Sequence, residues 1–298
     1  MRKSIMLFFV LFLPIASAAQ AARLTEKINQ RGLRLFDQGD IEGAISEFDH
    51  LLEIVTGFGS KRTDVAKITV IDPRAAFAYS NRGVARHQKG DLEGARLDYD
   101  KALRINPRLA EVWHNRAVVR QDQNDLTGAL SDYDKAIALQ PRYGKAFYNR
   151  GVVHLLRAEY TEASLDFSHS LEINPRDAAS YTNRGTAFFA LHKPIEALAD
   201  FDRAIAIDAN LAEAFRNRGL VQIQQGEVKS ALTDFTTSIE KNPTFALAFA
   251  NRGVAYLLQG NEPFAEADFA RCLQLDHSLE ASLQEQIRKV KEQKNRQK

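Results

Sequence analysis

The residues of this chain best suited to ligate a metal or relay a proton are His50, His87, His114, His154, His169, His192 and His277, together with Cys272. No histidine stands four residues from another or from the cysteine, so the spacing that puts two ligands on one helical turn is missing. A glycine-rich phosphate loop and a nucleophile elbow are also missing. Cys272 occupies a place where sister segments carry Ala or Ser, which marks it as a small core residue. These patterns point away from catalysis, a resident metal, a cofactor and a small-molecule substrate.

Other side chains recur in rows. Asparagine returns at Asn81, Asn115, Asn149, Asn183, Asn217 and Asn251, a step of 34 residues each time. An arginine follows each one: Arg82, Arg116, Arg150, Arg184, Arg218 and Arg252. Sixteen residues beyond each arginine stands an acid: Asp98, Asp132, Asp166, Asp200, Asp234 and Asp268. Arg31 and Glu47 repeat the charge pair earlier in the chain. An amide offers both donors and an acceptor, so its row suits either the backbone of an extended polypeptide or contacts between helices. The charged rows suit ion pairs internal to the fold.

The period defines the elements that must carry these rows. Counting each repeat from 1 at residues 25, 76, 110, 144, 178, 212 and 246, position 4 is aromatic from Tyr79 onward, and position 8 is Gly or Ala. Position 20 is Ala and position 24 is aromatic throughout, while Pro73, Pro107, Pro141, Pro175 and Pro243 stand at position 32. Gly39, Gly90, Asn124, Gly226 and Gly260 at position 15 suit the left-handed end of a first helix. Proline at 32 ends a second helix. In such an antiparallel hairpin, position 7 lies level with position 22 or 23, so each arginine is expected to face its acid.

These residues resemble the tetratricopeptide-repeat (TPR) family over residues 25–279. The resemblance implies an all-α, right-handed superhelical solenoid of seven helix-turn-helix units. The expected units are 25–75, with an insertion at 56–73, then 76–109, 110–143, 144–177, 178–211, 212–245 and 246–279. A capping helix and basic tail are expected over 280–298, from the helical spacing of Leu279, Leu283, Ile287 and Val290. The family's first helices line a concave groove with positions 2, 5, 6, 9, 12 and 13. Carried onto this chain, the groove would hold the six asparagines together with Tyr148, Leu155, Phe189, Ile223 and Leu257. Position 9 is never Asn and position 6 never basic, which excludes the family's chaperone-binding carboxylate clamp.

The ends and the charge complete the reading. Arg2 and Lys3 precede an apolar run, Met6 to Ile15, and then Ala16-Ser17-Ala18, the order of a secretory signal peptide. Cleavage after Ala18, or after Ala21 at a second Ala-x-Ala, would leave 38 basic and 38 acidic side chains. That balance excludes a general nucleic-acid footprint. The expectation is a periplasmic or secreted, non-enzymatic adaptor that binds extended or helical peptide segments; the alternative is a self-associating scaffold in an envelope complex. Weak contact of the basic tail with an anionic membrane surface is a further expectation.

Overall fold

The protein is described by a computed structural model covering residues 18–60 and 72–296. The apolar run Met6–Ile15 and most of the 56–73 insertion, from Lys61 to Ile71, lie outside the described residues. Among those described, the chain is helical with no strand. Two compact bodies divide it, Met1–Leu139 and Gln140–Lys298.

The first body contains three hairpins: α1 (Ala18–Asp37) with α2 (Ile41–Ser60), α3 (Arg74–Lys89) with α4 (Leu92–Ile105), and α5 (Ala110–Asp122) with α6 (Leu126–Leu139). The second contains four: α7 (Gly144–Leu156) with α8 (Tyr160–Ile173), α9 (Ala178–Ala190) with α10 (Pro194–Ile207), α11 (Ala212–Gln224) with α12 (Val228–Lys241), and α13 (Ala246–Gln259) with α14 (Glu262–Leu275). A 3-10 turn, His277–Leu279, leads into α15 (Glu280–Arg296). Helix α2 runs to Ser60, so the insertion begins as a lengthened second helix.

The hairpin contact follows from side-chain size. A Cβ added to Gly83, Gly151, Gly185 or Gly219 would come within 3.0 Å of the aromatic ring at position 24 of the same repeat. Tyr99, Phe167, Phe201 and Phe235 are almost wholly buried there, beside the position-20 alanines Ala95, Ala163, Ala197 and Ala231. A single hairpin leaves apolar surface on its outer faces, and the next hairpin covers it.

Two turns organise each repeat. The first helix ends on a left-handed residue at position 15 in all seven repeats: Gly39, Gly90, Asn124, Ala158, His192, Gly226 and Gly260. Ala158 and His192 take that conformation with φ of 58°, where a side chain is strained. Where position 31 is Asn or Asp, the second helix ends there and the side-chain oxygen accepts the backbone N–H two residues on. Asn106 takes it from Arg108 at 3.0 Å, Asp208 from Asn210 at 2.9 Å, Asn242 from Thr244 at 3.1 Å and Asp276 from Ser278 at 3.0 Å. This Asx turn closes the fifth and seventh repeats, where Ala209 and His277 replace the proline.

Candidate functional site

In the second body the first helices α7, α9, α11 and α13 lie side by side. Their shared face carries the asparagine row. Asn149, Asn183 and Asn217 are half-buried, whereas Asn251 is only 8% exposed. Asn183 Nδ2 donates to the Tyr148 hydroxyl at 3.1 Å, and Asn217 Nδ2 to Thr186 Oγ1 at 3.2 Å, so the amides stitch one first helix to the next. The Nδ2 of Asn251 has no hydrogen-bond partner. In the first body Asn81 Nδ2 donates to Asn29 Oδ1 at 2.9 Å, and Asn115 Oδ1 lies 3.1 Å from His114 Nδ1.

Around this row the surface is apolar. Tyr148 and Leu155 pack in part against Phe167 and Ala187, Phe189 against Phe201 and Val221, and Ile223 against Phe235 and Ala255. All four of these groove candidates remain half-buried, with area left for a partner. Burial holds the Tyr148 phenol above its usual pKa, against the opposing effect of Asn183. Leu257 is a correction to the sequence reading. At 3% exposure it belongs to the core with Leu283, because α15 packs back on α13 and covers that end of the face.

Behind the face runs the charged row. From Arg82 onward each arginine at position 7 grips the acid of its own repeat through Nε and Nη2, whereas the largely exposed Arg31 meets Glu47 through Nε at 3.2 Å. Arg82 meets Asp98 at 2.8 and 2.6 Å, and Arg116 meets Asp132 at 2.7 and 2.7 Å. Arg150 and Asp166 pair at 2.8 and 2.6 Å, Arg184 and Asp200 at 2.8 and 2.8 Å. Arg218 and Asp234 pair at 2.8 and 2.7 Å, Arg252 and Asp268 at 2.8 and 2.8 Å. The acids are buried, and such bidentate geometry is the strong form of the interaction.

Three further contacts of this charged row were missed by the sequence reading. Nη1 reaches backward to position 25 of the preceding repeat: Arg116 to Asp100 at 2.6 Å, Arg184 to Ser168 at 3.0 Å, Arg218 to Asp202 at 2.6 Å, and Arg82 to Asp49 across the insertion. The guanidinium also stacks near the position-4 ring, 4.7 Å from the Trp113 centroid for Arg116 and 5.5 Å from that of Tyr181 for Arg184. Finally, position 11 adds a second cation in the first body, where Arg86 donates to Asp98 at 2.8 Å and Arg120 approaches Asp132 at 3.1 Å. Burial alone would lower the Arg82 guanidinium, but the bonds to Asp98 and Asp49 more than offset it and hold it above its usual range. The recurrence of Asp49, Asp100, Asp134 and Asp202 at position 25 was the available signal.

Among the described residues no cluster of His, Cys, Asp or Glu could hold a metal ion, and no helix is long and apolar enough to cross a membrane. Cys272 is buried, and burial raises its thiol pKa.

A search of curated proteins finds no match. Among solved structures the fold is similar to a tetratricopeptide repeat protein from Parabacteroides merdae, at 18% identity and a TM-score of 0.65, over 90% of this chain and 99% of that one. It is similar also to PilW, a widely conserved type IV pilus biogenesis factor, at 18% identity and a TM-score of 0.63, over 71% and 97% of the two chains. Pseudomonas aeruginosa pilF gives 20% identity and a TM-score of 0.60, over 68% of this chain and 92% of its own. A family model described as a TPR repeat matches residues 83–124, and one described as a tetratricopeptide repeat matches 114–178 and 216–276. Together these matches cover more than half of the chain, which belongs to the tetratricopeptide-repeat family.

Proposed function

We propose that this protein is a non-enzymatic adaptor, exported and freed of its signal peptide, that captures extended or helical peptide segments on the face of its first helices. Proteins of the family mediate protein–protein interaction and are typically non-enzymatic adaptors. The observation that carries the proposal is the half-buried apolar strip of Tyr148, Leu155, Phe189 and Ile223 beside the asparagine row. Contiguous apolar surface framed by polar groups is what a partner segment covers. Asn183 and Asn217 already cross-link helices, so the amides would contribute mainly by holding the strip in shape and by their unused acceptor and donor capacity.

The test is crosslinking in intact cells followed by partner capture with the Asn149→Ala, Asn183→Ala, Asn217→Ala triple variant. At about 1 kcal/mol for each lost contact, three losses reduce affinity more than tenfold while helicity stays nearly unchanged. Unchanged capture would overturn the groove reading. The scaffold reading has its own support in Leu165, Ile195 and Phe264, which lie on second helices and are 57%, 77% and 59% exposed. Capture lost on changing these to Ser, and kept in the asparagine variant, would establish it. Export is tested by intact mass, which should show a chain beginning at Ala19 or Ala22; a full-length chain would overturn it.

A further inference from the structure

Arg216 of α11 stands one residue before Asn217, on the groove side of the second body. Among the described residues it makes no ion pair. Its Nη1 donates to Asn217 Oδ1 at 2.9 Å, its guanidinium lies 5.8 Å from the Phe245 ring centroid, and its buried Nε has no partner. Burial pushes its pKa down, and the charge of Glu213 opposes that only through space. Across from it Asn251, more than nine-tenths buried, holds an unpartnered Nδ2. Both residues line a cavity of about 360 Å³ whose other walls include Leu220, Ile223, Val254 and, from α15, Lys289 and Val290.

A guanidinium that lacks a carboxylate and keeps a buried Nε–H unmet, beside a buried amide donor without an acceptor, is costly in an isolated fold. The pair becomes favourable when an anion enters. The surrounding Leu, Ile and Val side chains suit an anion carried on alkyl groups, as in a peptide. We propose that this cavity is a carboxylate-binding subsite of the peptide groove, in which Arg216 and Asn251 donate to a carboxylate of the bound polypeptide and Lys289 adds positive charge at the mouth. The subsite rests on the groove reading and specifies its partner: a segment carrying an acidic side chain, or a free C-terminus, next to apolar residues. It differs from the clamp excluded by the sequence, because its cation sits at position 5, its amide at position 6 of the next repeat, and its third group on the terminal helix.

The experiment is an NMR titration of the full chain, with the side-chain N–H resonances of Arg216, Asn251, Asn183 and Asn217 assigned. Four probes are used: N-acetyl-leucine for a terminal carboxylate, N-acetylglutamic acid α-amide for a side-chain carboxylate, N-acetyl-leucinamide as the neutral match, and a capped, uncharged, leucine-rich nonapeptide. The expected result is that at least one acid shifts Arg216 and Asn251, that the neutral match does not, and that the stronger acid identifies the source of the carboxylate. Arg216→Gln should weaken that acid at least tenfold. Lys289→Ala, a change on an exposed side chain that leaves the core intact, should weaken it severalfold. Equal shifts from N-acetyl-leucine and its amide, or acid binding unchanged in both variants, would overturn the carboxylate subsite. In that case shifts of Asn183 and Asn217 by the uncharged nonapeptide would leave the groove reading standing, and no shift by any probe would remove both.

Discussion

The two bodies use one repeat but hold it together differently. In the first, Asp98 receives two arginines and Asp132 two more, and Asp40, Asp91 and Asp125 cap the second helices by accepting from the N–H of Gly43, Gly94 and Gly128 at 2.9 Å each. In the second, position 11 is His154, Phe188, Gln222 or Tyr256, so each acid keeps one arginine. Helices α8, α10, α12 and α14 begin at Glu159, Lys193, Glu227 and Asn261 without a side-chain cap. In two of the four repeats a ring stands where the second arginine would be: Arg184 lies 5.7 Å from the Phe188 centroid and Arg252 5.9 Å from that of Tyr256. The body that carries the apolar groove is thus the one with fewer local electrostatic restraints. Such regions open at lower free energy, and binding surfaces are drawn from them.

The strongest way to break this contrast is to remove a shared acid. Asp98→Leu takes the buried acid from two arginines, Arg86 and an Arg82 left with Asp49 alone, and should cost about 5 kcal/mol, against about 3 kcal/mol for Asp200→Leu, which takes it from Arg184 only. Urea unfolding followed by hydrogen exchange in each body reads both, and equal losses would dissolve the distinction. A double-mutant cycle on Arg184→Met and Asp200→Leu measures the single pair directly.

A smaller effect falls on both bodies at alkaline pH, through Tyr99 in the first and the groove residue Tyr148 in the second. Position 24 is Tyr99 in the second repeat and Phe from the fourth repeat on. Burial, with the charge of Asp98, holds the Tyr99 phenol well above its usual 10.0. The unfolded chain therefore ionises first: the stabilisation is complete below pH 10 and falls as pH rises further. At pH 11 the loss is about 1.4 kcal/mol. Tyr99→Phe should flatten that slope in the first body, and an unaltered slope would show that other groups govern it.

Local turns give the finest tests. Asp91→Ala should lose about 1 kcal/mol, and Lys193→Asp, which supplies the missing cap to α10, should gain a similar amount in thermal unfolding. Ala158→Gly relieves a left-handed alanine and should stabilise by about 1 kcal/mol, whereas Gly90→Ala, which introduces the same strain at φ 87°, should cost about as much. If α8 fails to gain, the strain assigned to that turn is absent.

The parts of this architecture that depend on one repeat were legible from residue order. The position-8 glycine against the position-24 ring, and Arg184 against Asp200, lie at fixed separations within a hairpin whose turn is marked by position 15. Contacts between neighbouring repeats were not. Ser168, Asp202 and Thr236 receive the same arginine nitrogen, and a partner that changes from carboxylate to hydroxyl leaves no uniform row to notice. The amide partners are equally varied: Asn29, Tyr148 and Thr186. The terminal helix shows a further limit. Its stripe of Leu283, Ile287 and Val290 announces a buried side, but only packing on α13 reveals that Leu257 is lost to the groove.

The two-way reach of each arginine also bears on how such a chain can change length. From position 7, one partner lies sixteen residues ahead and the other sixteen behind. Both are fixed by rank within the period and not by a particular neighbour. Excising Ala178–Leu211 would bring Arg218 onto Ser168, a hydroxyl already gripped by Arg184, while Asp234 stays in place. Arg82 holds Asp49 thirty-three residues behind it, so this pairing survives extra chain between its two partners. Unequal crossing-over in the gene that adds or removes one whole period therefore yields a product with every guanidinium still matched. A deletion one residue short of a period would displace the glycine, the ring and the acid together.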